Sequence, residues 1–227
     1  MIAVKLASEN AIIVYFGQQI SDELVDEIAF YSALLKQQLA DLIIDIVPSY
    51  TSLMLSYRID KINHQAFSAR VEDIIKSNTR VIKSATIKVI EIPVLYDSKV
   101  GLDLTACLEA KALDLTSFIK LHSECEYRVH AVGFSPAFAF LGTVDPRLVM
   151  PRHRTPRINI PAGSIGIADN QTAVYPVESA GGWQIIGRTP IDLSLANPDN
   201  LRLFQVGDTV RFKPVDDAEF LALGGQR

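Results

Sequence analysis

The sequence predicts an α+β protein in two parts, an α/β sandwich followed by a turn-rich β-barrel or sandwich. Three observations carry this. Apolar residues make up 48% of the 227 positions, enough for a sizeable buried core. Only Gly17, Pro48 and Pro93 precede residue 101, and the other eleven glycines and nine prolines follow from Gly101 onward, so turns concentrate in the second part. The first part alternates strand-length apolar runs with helical stripes, whereas the second strings short apolar runs between turns. The change in punctuation puts the boundary near residue 93, giving domains of 1–93 and 94–227.

Element by element, Ala11 to Phe16 reads as a strand ended by Gly17. Ser21 or Asp22 can cap a helix whose stripe, Leu24, Ile28, Tyr31, Leu35 and Leu39, follows one helical face. Asp22 and Glu23 in its first turn favour the helix dipole. Leu42 to Val47 reads as a strand stopped by Pro48, and Tyr50 to Tyr57 as a third strand. A second helix runs from about Asn63 to Lys76 with Phe67, Val71, Ile74 and Ile75 inward, and Thr86 to Val94 is a fourth strand. The order βαββαβ is that of a ferredoxin-like sandwich. Beyond it, Leu102 to Leu121 is helical with a break near Leu113-Asp114. Short strands then follow at Tyr127 to Val132, Ile158 to Ile160, Ser164 to Ala168, Thr172 to Tyr175, Trp183 to Ile186 and Thr209 to Phe212. Gly224 to Arg227 is expected to be a frayed tail.

Composition narrows the function. With 22 basic against 26 acidic residues, a net charge of −4, the chain lacks the basic excess of a phosphate-tracking nucleic-acid binder. The start, MIAVKLASEN, is too short and too charged for a signal peptide. No window approaches the ~18 uncharged apolar residues of a membrane span. Two cysteines fit a reducing compartment, so a cytoplasmic protein is expected.

The common chemical signatures are missing. No glycine is followed by lysine, so there is no phosphate-binding P-loop, and G-x-G-x-x-G is absent. Ala162-Gly163-Ser164-Ile165-Gly166 approaches a nucleophile elbow but reads as a tight β-turn, since no helix pattern follows it. His122, Cys125 and His130 are close in sequence but complete no paired ligand spacing, and no metal is expected. Cys125 as a nucleophile would need a depressed thiol pKa.

Two clusters stand out. Pro151-Arg152-His153-Arg154-Thr155-Pro156-Arg157 packs three arginines and a histidine between prolines in an acidic protein. Arginine forks hold carboxylates or phosphates bidentately, although on local evidence a solvated turn paired with nearby acids is the favoured reading, since most charge runs are surface features. Gly181 to Pro190, GGWQIIGRTP, holds the single tryptophan, Gln184 and Arg188. Strand alternation there puts Gln184 and Ile186 on one face and Trp183 and Ile185 on the other.

At these segments the chain resembles the B subunit of the bacterial ATP-dependent 5-oxoprolinase, a family that also includes KipI-type kinase inhibitors and subunit 1 of allophanate hydrolase. The resemblance rests on TSLMLSY at 51–57, IPVLY at 92–96, HSECEYRVHAVGFSPAFAFLG at 122–142, PRHRTPRINIPAGSIGIADNQTAVYP at 151–176, GGWQIIGRTP at 181–190 and GDTVRF at 207–212. It departs from the family pattern at Ala137, where glycine is usual, at Asp169-Asn170, at Ala180 and at Asn10.

The resemblance implies a cyclophilin-like barrel for the second domain and a shared site containing His122, Arg152, Arg157, Gln171, Gln184 and Arg188. In that site Arg152 and Arg157 would clamp an anion, and Gln171 and Gln184 would bond an amide. Arg188 would neutralise phosphate or position a loop. It further implies opening of the 5-oxoproline lactam to glutamate with ATP and Mg. The work would be shared with two partners of 5-oxoprolinase, a homologous barrel protein (its C subunit) and a lactam hydrolase (its A subunit). Two other implied roles are inhibition of a sensor histidine kinase and hydrolysis of allophanate or a related amide.

Overall fold

The computed structural model describes residues 2–78 and 88–226, which divide into two compact units, Met1–Thr86 and Ile87–Arg227. The first unit runs β1 (Ala3–Ser8), β2 (Ala11–Tyr15), α1 (Asp22–Gln38), β3 (Ile43–Ser49), β4 (Ser52–Tyr57) and α2 (His64–Ser77). The Ser21 side chain caps α1 by accepting the Leu24 N–H at 3.3 Å, and Asn63 caps α2 through the Ala66 N–H at 2.9 Å. The predicted stripe of α1 is buried from Leu24 to Leu39. It packs with Phe67 and Val71 of α2 over Ile12, Val14, Leu53 and Leu55, all fully buried. Each such aliphatic side chain contributes about 1.5–3 kcal/mol.

The ferredoxin-like arrangement is corrected in one respect. The sheet order is β1-β2-β4-β3, and the place beside β2 is taken by β1, which precedes it, instead of by a strand following α2. Residues 3–8 give a weak strand signal because a lysine and a serine dilute their apolar pattern. The turn at Glu9-Asn10 nevertheless pairs them antiparallel with β2, Val4 opposite Val14 and Leu6 opposite Ile12. Pro48 does not stop β3 either: it lies opposite Leu53 on an edge strand, where a missing N–H is tolerated.

The second unit contains β5 (Val89–Val94), α3 (Leu104–Lys111), α4 (Leu115–Ser123), β6 (Tyr127–Val132) and β7 (Ala139–Gly142). It continues through β8 (Arg157–Ile160), β9 (Ser164–Ala168), β10 (Gln171–Val174), β11 (Ser179–Gly181), β12 (Gln184–Arg188), β13 (Thr209–Pro214) and α5 (Asp217–Ala222). The expected strand at Thr86 to Val94 is present as β5, its first two residues lying outside the described ones. It does not complete the first sheet. It pairs in parallel with β13, Val89 opposite Thr209 through Val94 opposite Pro214, so it belongs to the second unit and the division falls ahead of it. The helical break is where Asp114 caps α4 through the Ser117 N–H at 2.8 Å.

Seven strands form one sheet in the order β12-β9-β10-β7-β6-β13-β5. Its two ends meet where the Leu95 N–H donates to the Arg188 carbonyl at 2.9 Å and the Arg188 N–H to the Leu95 carbonyl at 3.0 Å. That pair of bonds makes the sheet a nearly closed barrel, which fits a cyclophilin-like barrel. The approach needs a glycine: a Cβ at Gly187 would lie 2.7 Å from the Leu95 carbonyl oxygen. Inward residues such as Ile92, Leu141, Ile165, Ile167, Val174 and Ile186 fill the interior. On the outer face, Phe138, Tyr175, Trp183 and Ile185 make a second buried cluster with Ile160 of β8, which pairs with β11 as a two-stranded ribbon. Trp183 and Ile185 thus share a face opposite Ile186, as the alternation predicts. The tail is not frayed at its described residues, because the Gln226 carbonyl accepts a hydrogen bond from Arg188 at 2.9 Å.

Candidate functional site

The proline-flanked loop 151–157 leads into β8 and lies against the start of β12. It is held there by backbone and side chain together. The His153 N–H donates to the Gly182 carbonyl at 2.7 Å, and the Gln184 amide donates to the Pro151 carbonyl at 2.9 Å. The Arg152 guanidinium lies 5.6 Å from the Trp183 ring centroid, over its face, and 4.0 Å from the Asp169 carboxylate. Arg154 is exposed.

Arg157 is differently placed. Its two terminal nitrogens donate to the two oxygens of Asp103 at 2.6 and 2.8 Å. The Asp103 carboxylate also accepts the Ile185 N–H at 2.7 Å, and His153 Nε2 stands 3.1 Å from it and 2.9 Å from Arg157. Burial of Asp103 would raise its pKa, but the hydrogen bonds from Arg157, Ile185 and His153 outweigh that and hold it below the usual carboxylate range. Asp103 reaches β12 because Gly101 lets the chain approach closely: a Cβ there would lie 2.7 Å from the Ile186 carbonyl.

The structure therefore brings Arg152, Arg157 and Gln184 into one cluster and adds Asp103, His153 and Trp183. Gln171 begins β10 beyond the Asp169-Asn170 turn, paired with Gly142 and Ala168. The other two expected residues lie elsewhere. Arg188 is at the far end of β12, where its guanidinium donates to the Ala162 and Gln226 carbonyls at 2.8 and 2.9 Å. There it lines a cavity of about 190 Å³ with Thr189, Asp192 and Gly225, and burial lowers its pKa.

His122 is fully buried among the barrel residues. Its Nδ1 is 2.7 Å from the Tyr96 hydroxyl and its Nε2 3.0 Å from Thr172 Oγ1. Thr172 donates its own proton to the Gly166 carbonyl at 3.0 Å. Nε2 must therefore carry the imidazole proton and Nδ1 must accept from Tyr96. Burial pushes the His122 pKa down to about 3, so the ring is neutral, sealed and stacked on Phe212. It holds the barrel together and is closed to any surface ligand.

Sequence reasoning missed Asp103, which reads locally as an ordinary helix cap. Ser164 opens a strand, β9, instead of a helix, so no nucleophile elbow forms. Burial pushes the Cys107 thiol up to about 12, which leaves it inert. Among the described residues no three or more His, Cys, Asp or Glu side chains come together as a metal site, and no helix is long and apolar enough to cross a membrane.

Residues 2–203 match the family described as carboxyltransferase domain, subdomain C and D. The B subunit of 5-oxoprolinase from Bacillus subtilis is 31% identical over 228 residues, covering 96% of this chain and 95% of that protein. The crystal structure of TTHA0988 superimposes with a TM-score of 0.78 at 30% identity over 91% of this chain, which spans 40% of that protein. The Kluyveromyces lactis urea carboxylase shares the fold, with a TM-score of 0.74 at 16% identity, over 97% of this chain and 22% of that enzyme. On this footing the chain belongs to the carboxyltransferase subdomain C and D family, alongside the 5-oxoprolinase B subunits.

Proposed function

We propose that the chain is the B-type subunit of an ATP-dependent 5-oxoprolinase, a hydrolase that opens the 5-oxoproline lactam to glutamate. The observation that carries this reading is the full-length match to the Bacillus subtilis B subunit, with 96% of this chain aligned. The cluster on loop 151–157 suits the chemistry. An unstrained amide resists water because resonance makes its carbonyl a poor electrophile, and phosphorylation of the carbonyl oxygen by ATP removes that protection. Phosphoryl transfer needs positioning and cationic stabilisation more than covalent help from protein. Arg152 and Arg154, which are exposed, offer the cationic surface for a carboxylate or phosphate.

In this reading the chain works with a homologous barrel protein and a lactam hydrolase, and ATP with Mg is engaged in the assembled complex. The test is ATP hydrolysis by this chain alone and reconstituted with those two partners, with and without 5-oxoproline. Stimulation by 5-oxoproline only in the full assembly supports the proposal. An assembled complex stimulated by allophanate instead transfers the assignment to that amide, and no stimulation by either overturns it.

A further inference from the structure

Asp103 sits at the N-cap of α3, yet its side chain makes no capping bond there. Aspartate is among the preferred N-cap residues because its carboxylate satisfies an unpaired N–H of the first turn. Here the carboxylate is turned away from its own helix. It accepts from Arg157, 54 residues later, and from the Ile185 N–H, 82 residues later. Its side chain is only 6% exposed, against 31% for Arg157.

Both terminal nitrogens of Arg157 are committed to this carboxylate, so its fork is not presented to a ligand. His153 closes the same knot from within the loop. The charged side chains of the loop that remain turned to solvent are Arg152, over Trp183, and Arg154.

We infer that Asp103 is a positioning residue: through Arg157 it pins loop 151–157 to β12 and thereby presents Arg152, over Trp183, to the anionic group of the substrate. This divides the arginines by role, Arg157 as anchor and Arg152 as the ligand-facing cation. It rests on the assignment of loop 151–157 to substrate binding proposed above.

Trp183 is the single tryptophan of the chain, so its fluorescence reports on the loop without any activity. Asp103→Asn and Arg157→Gln should each change Trp183 emission as Arg152→Gln does, and the double variant Asp103→Asn/Arg157→Gln should add nothing to either single one. Arg157→Lys, which keeps the charge but loses the fork, should behave as Arg157→Gln and gives the same reading if Asp103→Asn does not fold. In the reconstituted complex each anchor variant should raise KM for 5-oxoproline about 10- to 100-fold with kcat largely kept, the cost of a misplaced binding group. Unchanged Trp183 emission in folded anchor variants, or additive effects in the double variant, overturns the positioning role. A shifted emission beside unaltered KM leaves the anchoring in place and instead removes loop 151–157 from the substrate site.

Discussion

The His122 network and the Asp103 network lie in the same unit and differ in one respect that decides their roles. Around His122 every polar atom has a neutral partner and no water reaches it; the ring is clamped between Tyr96 and Thr172 inside the barrel. Around Asp103 a buried carboxylate meets the Arg157 guanidinium, and the network opens through Arg157 and His153 onto a loop in solvent. A closed neutral network can only stabilise. An open charged one can hold a surface in a shape that something else recognises. A family signature runs through both, and sequence position alone does not tell them apart.

The sharpest break in that comparison is His122→Ala. It should cost about 3–5 kcal/mol, through a cavity beneath Phe212 and a stranded hydroxyl on Tyr96, read as a large drop in urea midpoint. Arg157→Leu should cost less, about 2–3 kcal/mol, because it leaves the Asp103 carboxylate buried with only the Ile185 N–H and His153. If the two costs came out reversed, the charged network would be the main structural one.

The pH dependence follows from burial of His122. The unfolded ring titrates near its ordinary 6.5, the folded ring near 3, so the unfolded state binds the extra proton between those values. Stability should be full above about pH 6.5 and fall as the pH drops toward 3, by at most about 1.4 kcal/mol per pH unit. Asp103, whose folded pKa lies below its ordinary 3.8, adds a loss of the same sign at still lower pH. Urea midpoints measured across this range should slope in the wild type and flatten between pH 6.5 and 4 in His122→Asn. A slope that survives in His122→Asn would assign it to other groups.

Arg152→Gln should change stability by no more than about 1 kcal/mol, the scale of an exposed cation–π contact, while abolishing 5-oxoproline-dependent ATP hydrolysis in the assembled complex. The smallest effect concerns the loop at Phe134 and Ala137, which both have positive φ, 73° and 64°. Ala137 stands where the family resemblance leads one to expect glycine, and the backbone gives the reason: the left-handed conformation is strained for a residue with a Cβ. Ala137→Gly should raise thermal stability by up to about 1 kcal/mol, visible as a small increase in Tm.

What the sequence made legible was local. The cap at Ser21, the helix start near Asn63, the break near Asp114, the stripe of α1, the runs that became β6 and β9, and the arginine loop all depend on residues within a few positions of one another. What it concealed was pairing at a distance. The apolar run Val89–Val94 reads the same whether its neighbour is β2 or β13, and its true partner lies about 120 residues away. Asp103 was hidden for the same reason: its locally satisfying role as a cap differs from the one that Ile185 and Arg157 impose. Arg188 and Gln184, four residues apart in one motif, lie at opposite ends of a strand, which spacing alone does not reveal.

The parallel ladder between β5 and β13 has a consequence for synthesis. A ribosome that has delivered Val94 has still to make residue 209 before the ladder partner exists, on the order of ten seconds of elongation. Until then the first strand of the barrel exposes an unpaired edge carrying Ile90, Ile92 and Val94, all destined for the interior. High contact order of this kind slows folding and leaves nascent chains prone to association. A chain cut before β13 would keep that edge bare for good, which makes the last seam of the barrel the place where its manufacture is most exposed to failure.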